Sequence, residues 1–316
     1  MGLPVDSHAV CFRRSSRRFG RFAALDGLDL TVPRGGVCGL VGNNGAGKTT
    51  AIHCLMGMLP LSGGELRVLD LDPQLAGDAL RQRVGFFPER DEPYKWMRLE
   101  TLLRMARRAY PTWDDQLAWG WVERFGLDRR KRFKQMSKGM VAKAKLTVAL
   151  GHRPELLVLD EPTSGLDPGS RHDLLEAVRE RAAEGVSVLV SSHNLDDLSR
   201  LVTDVAVMVR GRLRLGCTAA EIRDRFGRLT VPMGVVVPPA LEALRVGGSV
   251  GDEASSGSVC LLSDRNNTEL AAWVSATPGV GLAPVDLVDV FHLATQDAEV
   301  VAATVGEGEV THGPTG

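Results

Sequence analysis

One stretch restricts the possible folds of this chain more than any other: Gly42-Asn43-Asn44-Gly45-Ala46-Gly47-Lys48-Thr49. It satisfies the pattern G-x-x-x-x-G-K-[ST]. The pattern carries weight because Val37 to Val41 before it reads as a buried strand and Thr50 to Met58 after it as a helix. Glycines at 42, 45 and 47 let the backbone curl so that successive N–H groups point at one anion, and the helix N-terminus adds partial positive charge. Lys48 then supplies a mobile cation for β- and γ-phosphates, and Thr49 offers a hydroxyl to Mg²⁺. A Gly-rich turn with a surface lysine leaves the coincidence of four fixed positions unexplained. The expected ligand is a nucleotide, whose chemistry the loop alone does not specify.

Two further apolar runs, Leu156 to Leu159 and Val186 to Val190, also end abruptly in polar residues. Such runs read as strands buried on both faces, hence a parallel sheet covered by helices, whose ligands sit at the carboxyl ends of the strands. The run LLVLDEP places Asp160 and Glu161 at such an end. Two acids there call for a cation. Asp160 is expected to hold Mg²⁺, and Glu161 to polarise a water against the γ-phosphate. Taken alone, the pair would be an ordinary turn or helix cap.

At 316 residues the chain has room for one large domain and a smaller appendage. The net charge of -1 gives no general attraction to nucleic acid, and the run Arg13, Arg14, Arg17, Arg18 reads as a solvated face flanking a strand. Five cysteines, none spaced as CxxC, fit free thiols in a reducing compartment. The N-terminus has no secretory signal pattern, and no run approaches the roughly 18 apolar residues of a spanning helix. Residues 91–134 read as a helical insertion, with Trp96, Trp113, Trp119 and Trp121 as packing residues. After about residue 225 the pattern becomes that of a small α+β appendage, with a poorly ordered tail from Gln296 onward.

Several motifs in order, from about Phe12 to Phe226, resemble the ATP-binding cassette family. Beyond the phosphate loop, Gly42 to Thr50, and the acid pair, Thr163-Ser164-Gly165-Leu166-Asp167 is similar to the family's D-loop, which implies that Ser164 and Asp167 face a second subunit. Ser191-Ser192-His193 is similar to the segment whose histidine contacts the γ-phosphate. Met136-Ser137-Lys138-Gly139-Met140 occupies the place of the signature loop, opening a helix on which Met140, Ala144 and Val148 share a face. The more usual form has glycine where Lys138 stands and glutamine where Met140 stands; the SKGM form resembles a branch of bacterial exporter cassettes. Ser137 and Gly139 would still offer a hydroxyl and free amides to a γ-phosphate presented by another subunit.

At the Q-loop position stands Glu89, which the resemblance makes a ligand of the metal or its water, the plain alternative being an exposed loop acid beside Arg90. Phe19 aligns with the aromatic residue that stacks on adenine; Phe22 is the other candidate ring, and a core position the other reading of Phe19. His53 and His152 read as structural or solvated. PVDLVDVFHLAT resembles the closing segment of exporter cassettes with a C-terminal extension.

The resemblance implies an α/β fold: a P-loop NTPase core with a mainly parallel sheet, an antiparallel β subdomain and a helical subdomain at about 91–152. The cassette would span 1–225 and an accessory domain 226–316. It further implies ATP and Mg²⁺, a second cassette as dimer partner, and a membrane permease that holds the chain at the cytoplasmic face of the membrane, with no nucleic acid partner. A soluble cassette remodelling a non-transport partner and a nucleotide sensor without turnover are the rival readings. One cassette with a short insertion argues against the first, and the presence of Glu161 and His193 against the second.

Overall fold

The computed structural model describes residues 8–90, 92–193, 198, 199, 201–249 and 258–295. It divides into two compact units, Met1–Gly216 and Cys217–Gly316. The expected boundary at 225/226 lies at the end of the first helix of the second unit. The tail from Gln296, expected to be poorly ordered, lies outside the described residues.

The first unit opens with two long strands, β1 (His8–Phe19) and β2 (Phe22–Pro33), paired antiparallel. Arg13, Arg14, Arg17 and Arg18 lie within β1 rather than beside a strand. Then come β3 (Val37–Val41), α1 (Lys48–Leu55), β4 (Gly63–Val68), α2 (Gly77–Arg83) and β5 (Val84–Phe87). β4 adds to β1, giving a three-stranded antiparallel sheet of order β2-β1-β4. The helix after the phosphate loop starts two residues earlier than the sequence pattern predicts and ends at Leu55 instead of Met58.

A helical segment comes next, with α3 (Leu99–Ala109), α4 (Asp115–Arg124), a single 3₁₀ turn at Phe133–Gln135, and α5 (Lys138–Leu150). α3 stops just before Pro111, whose ring excludes the α conformation from the residue before it. Met140, Ala144 and Val148 fall four residues apart along α5, as the sequence pattern predicts. Only Ala144 of the three is fully buried, together with Gly139, Ala142, Leu146, Thr147, Ala149 and Leu150. The tryptophans also separate in role. Trp121 is buried and stacks on Phe125 with ring centroids 5.3 Å apart, and Trp113 packs against Gly151, whereas Trp96 and Trp119 are exposed.

The chain returns through β6 (Leu156–Asp160), α6 (Pro168–Ala183), β7 (Ser187–Ser192), β8 (Asp204–Val209) and β9 (Arg212–Thr218). The large sheet has the order β5-β6-β7-β3-β8-β9, and its first five strands run parallel. Every residue of β3, β6 and β7 is buried, as continuous apolar runs in a doubly covered sheet require. One apolar core, including Phe12, Leu28, Leu40, Ile52, Leu55 and Val158, joins both sheets to α1.

The second unit contains α7 (Ala219–Asp224), β10 (Gly227–Val231), α8 (Pro239–Glu242), β11 (Arg245–Ser249), β12 (Ser258–Leu262), α9 (Thr268–Ala276) and β13 (Gly281–Pro284). Its antiparallel sheet has the order β11-β12-β10-β13. Leu229, Val231, Cys260, Leu262 and Leu270 form its own core. None of the five cysteines forms a disulfide, and burial pushes the Cys38 thiol up to about 12 and Cys54 up to about 11, so both are inert. Among the described residues no helix is long and apolar enough to cross a membrane.

Candidate functional site

Strand order explains why residues far apart in sequence meet. β6, β7 and β3 are successive neighbours, so the segments that leave Asp160, Ser192 and Val41 emerge side by side at one sheet edge. There the phosphate loop, Glu161 and His193 surround a cleft of about 570 Å³. The phosphate loop lines it through Asn43, Asn44, Gly45, Ala46, Gly47, Lys48, Thr49 and Thr50, together with Glu89, Arg90, Glu161, Ser164, His193, Phe22 and Ala24.

The loop depends on glycine at two points. Gly47 caps α1 with φ of 102°, and a Cβ there would sit 2.6 Å from the carbonyl oxygen of Ala24. A Cβ on Gly42 would sit 2.6 Å from the carbonyl oxygen of Met208. Side chains are therefore excluded by neighbouring backbone, and the amides of the α1 N-terminus stay open toward the cleft. Lys48 folds back over the loop, Nζ donating to the carbonyl oxygen of Gly42 at 2.6 Å and lying 3.4 Å from Oε1 of Glu161. The Gly42 carbonyl thus anchors the lysine to the loop, and Gly42 itself does not line the cleft.

Glu161 has φ of 46°, a left-handed conformation uncommon for a residue with a side chain. Its neighbours hold it there. Its N–H donates to Oγ of Ser191 at 3.0 Å, and Oγ of Ser191 donates to Oδ1 of Asp160 at 2.6 Å. Ser191 is the register partner of Asp160 across the parallel pair β6 and β7, so one hydroxyl fixes both acids. The consequence is a carboxylate turned into the cleft, 2.8 Å from Nδ1 of His193. Such strain at a carboxylate is characteristic of working sites.

Asp160 is buried, 1% exposed, and does not itself line the cleft, whereas Thr49 and the partly exposed Glu89 do. Glu89 also pairs with Arg90, Nε to Oε1 at 3.6 Å. Among the described residues no three His, Cys, Asp or Glu side chains cluster as a metal cage. That donor set, a hydroxyl and well-separated carboxylates, fits Mg²⁺, which keeps most of its shell as water and substrate phosphate.

Of the two aromatic candidates, Phe22 lines the cleft and Phe19 does not. The two are register partners at the end of the β1–β2 hairpin, and the guanidinium of Arg17 lies over one face of the Phe19 ring, 4.6 Å from its centroid. Ser137, Gly139 and Asp167 are also outside the cleft. Ser137 caps α5, its Oγ accepting from the N–H of Met140 at 3.2 Å, and its side chain is exposed. Gly139 is pressed against α6, where a Cβ would meet Oγ of Ser170 at 2.0 Å. Asp167 caps α6 by accepting from the N–H of Ser170 at 2.9 Å, a bond that holds its carboxyl below the ordinary value. Sequence reasoning missed Arg90 as a lining residue and the linking role of Ser191; only the register of two parallel strands identifies the latter. His152 is structural, as expected: it is buried, stacks on Tyr110 at 4.1 Å, and burial lowers its pKa.

The family described as ABC transporter matches residues 25–164. The chain is similar to the uncharacterized ABC transporter ATP-binding protein YhaQ of Bacillus subtilis, 33% identical over 68% of this chain and 73% of the relative. It is also similar to the Nod factor export ATP-binding protein I of Burkholderia lata, 35% identical over 71% of this chain and 74% of that protein. A solved ATP-binding subunit of an ABC transporter superposes with a TM-score of 0.63 at 28% identity, covering 68% of this chain and 92% of that one. Sequence, sheet order and cleft agree: the chain belongs to the ABC transporter family, as an ATP-binding subunit with ATPase activity.

Proposed function

We propose that this cassette closes face to face with a second one, identical or paralogous, around ATP, and that the resulting motion drives a separate membrane permease in the direction of export. One observation carries the reading. Glu161, Lys48 and His193 converge in the chain's own cleft, while the exposed cap formed by Ser137 and the α5 N-terminus does not reach it. An exposed hydroxyl and a helix N-terminus outside their own cleft are suited to the γ-phosphate held by another copy.

In this mechanism the amides of residues 43–49 and Lys48 grip the phosphates, and Phe22 stacks on the base. Glu161 takes a proton from the attacking water, with His193 steadying the carboxylate and meeting the γ-phosphate. Thr49 and Asp160 would hold Mg²⁺, with Glu89 bonding it or its water, and the ion would supply positive charge against that developing on the phosphates. Ser164 and Asp167 lie at the facing surface of the second subunit. Loss of the γ-phosphate removes the bridge between copies, the pair reopens, and the segment 91–152 transmits the change to the permease. The work would be done at the cytoplasmic face of the membrane. The direction rests on the SKGM resemblance and on the name of the Nod factor export relative.

Affinity purification from detergent-solubilised membranes tests the transport reading. A polytopic protein should co-elute in fixed proportion and alter the rate of phosphate release. Elution with ribosomes or nucleic acid alone would favour the soluble remodelling role.

A further inference from the structure

Two segments distant in sequence lie antiparallel in the helical region, a pairing that their composition does not announce. The N–H of Lys134 donates to the carbonyl oxygen of Lys95 at 2.9 Å, that of Phe133 to Met97 at 3.0 Å, that of Leu99 to Lys131 at 3.3 Å, and that of Glu100 to Arg129 at 2.9 Å. Buried Met97, Leu99 and Phe133 fix this ladder to the core. The residues between them point outward, and they are almost all cationic.

Within 94–100 and 129–134 stand Lys95, Arg98, Arg129, Arg130, Lys131, Arg132 and Lys134 against one carboxylate, Glu100. Arg98 pairs with Glu100 at 3.7 Å and Lys131 turns toward the sulfur of Met140; the other five pair with no carboxylate among the described residues. Arg98 and Arg132 are direct partners across the bridge, a placement of like charges that is unfavourable without a counter-charge. Beside them Tyr94 and Trp96 stack at 5.7 Å while 67% and 65% exposed. Isolated exposed aromatics are ordinary; a stacked pair at the rim of an unpaired cationic strip is not.

We infer that this strip is a membrane-surface contact: the cations meet anionic phospholipid headgroups, and Tyr94 and Trp96 enter the headgroup layer. Amphipathic rings settle at that depth, and clustered Lys and Arg respond to the negative potential of an anionic leaflet. A nucleic acid would meet the same charges and is therefore an arm of the test below; the transport reading, which brings the chain to a membrane, favours the lipid surface. The inference rests on the transport reading only in bringing the chain to a membrane.

The purified full chain is sedimented with vesicles of phosphatidylcholine alone, and with vesicles that also contain phosphatidylglycerol, at low and high salt. Binding should require phosphatidylglycerol and disappear at high salt. Combined Lys95→Glu, Arg130→Glu and Lys134→Glu should weaken it at least about tenfold, on the scale of one favourable contact per cation near the surface. The milder Lys95→Gln with Lys134→Gln, and separately Trp96→Ala, should each weaken it less, which covers a folding failure of the triple variant. Hydrolysis of ATP in solution should be unchanged in all of them. No binding at low salt, equal binding to neutral vesicles, or variants that bind like the parent would overturn the inference. So would polyglutamate or duplex DNA binding to this strip as tightly as the anionic vesicles. Vesicle binding absent with hydrolysis intact counts against the strip, whereas absent hydrolysis counts against the cassette mechanism.

Discussion

Nδ1 of His193 lies 2.8 Å from Oε2 of Glu161, while Oε1 of the same carboxylate lies 3.4 Å from Nζ of Lys48. A single acid thus connects the end of β7 with the phosphate loop. An attacking water at that carboxylate would have a base, and the phosphate a cation, within one cleft. Glu161→Gln should retain ATP binding, accumulate the closed dimer on gel filtration, and lower phosphate release by about 10² to 10⁴. His193→Ala should lower kcat by about 10² with a smaller change in KM. Retained phosphate release in Glu161→Gln would remove this residue from the role of base.

Ser191 holds both acids, and its hydroxyl is fully buried. Ser191→Ala leaves the N–H of Glu161 and one oxygen of Asp160 without that partner, a loss of about 1–3 kcal/mol. Thermal melting should show the destabilisation, and a Mg²⁺ titration of phosphate release should shift to higher concentration. A melt and a titration both equal to the parent would show that the hydroxyl does not position Asp160.

The hairpin end distinguishes two phenylalanines. Phe22→Ala should weaken ATP affinity by about tenfold, the order of one stacked base, while Phe19→Ala, which removes a ring outside the cleft lining, should change affinity little. Isothermal titration with ATP would separate them, and the opposite ranking would restore Phe19 as the stacking ring.

Glu155 accepts two hydrogen bonds from Arg83, at 2.5 and 2.8 Å, and these hold its carboxyl below the ordinary value. The stabilisation from this pair is therefore fully present above the ordinary carboxylate range and is lost as pH falls through the lowered folded value. Both groups are partly exposed, so the effect should be under about 1 kcal/mol. Glu155→Gln should melt below the parent near neutral pH, with the difference closing in acid. A difference that persists unchanged below the folded value would assign the loss to packing.

The phosphate loop and the strands β3, β6 and β7 were legible because parallel strands buried on both faces leave continuous apolar runs, with the chemistry at their ends. The features that the sequence hid depend on register. Ser191 is an ordinary serine until β7 aligns it with Asp160, and the choice between Phe19 and Phe22 is decided by where a hairpin turns. Trp96 and Trp119 share residue type and neighbourhood with Trp121, yet of these three only Trp121 faces the interior. The pairing of 95–100 with 129–134 joins irregular backbone across α3 and α4, which no local period records.

The shared site is tested most directly by mixing two inactive chains, Lys48→Ala and Ser137→Ala, and measuring phosphate release. In a mixed dimer the intact loop of the Ser137→Ala chain faces the intact cap of the Lys48→Ala chain, so one complete site is rebuilt. Phosphate release should rise well above that of either chain alone. Release equal to the sum of the separate chains at every ratio would contradict a site built from two copies.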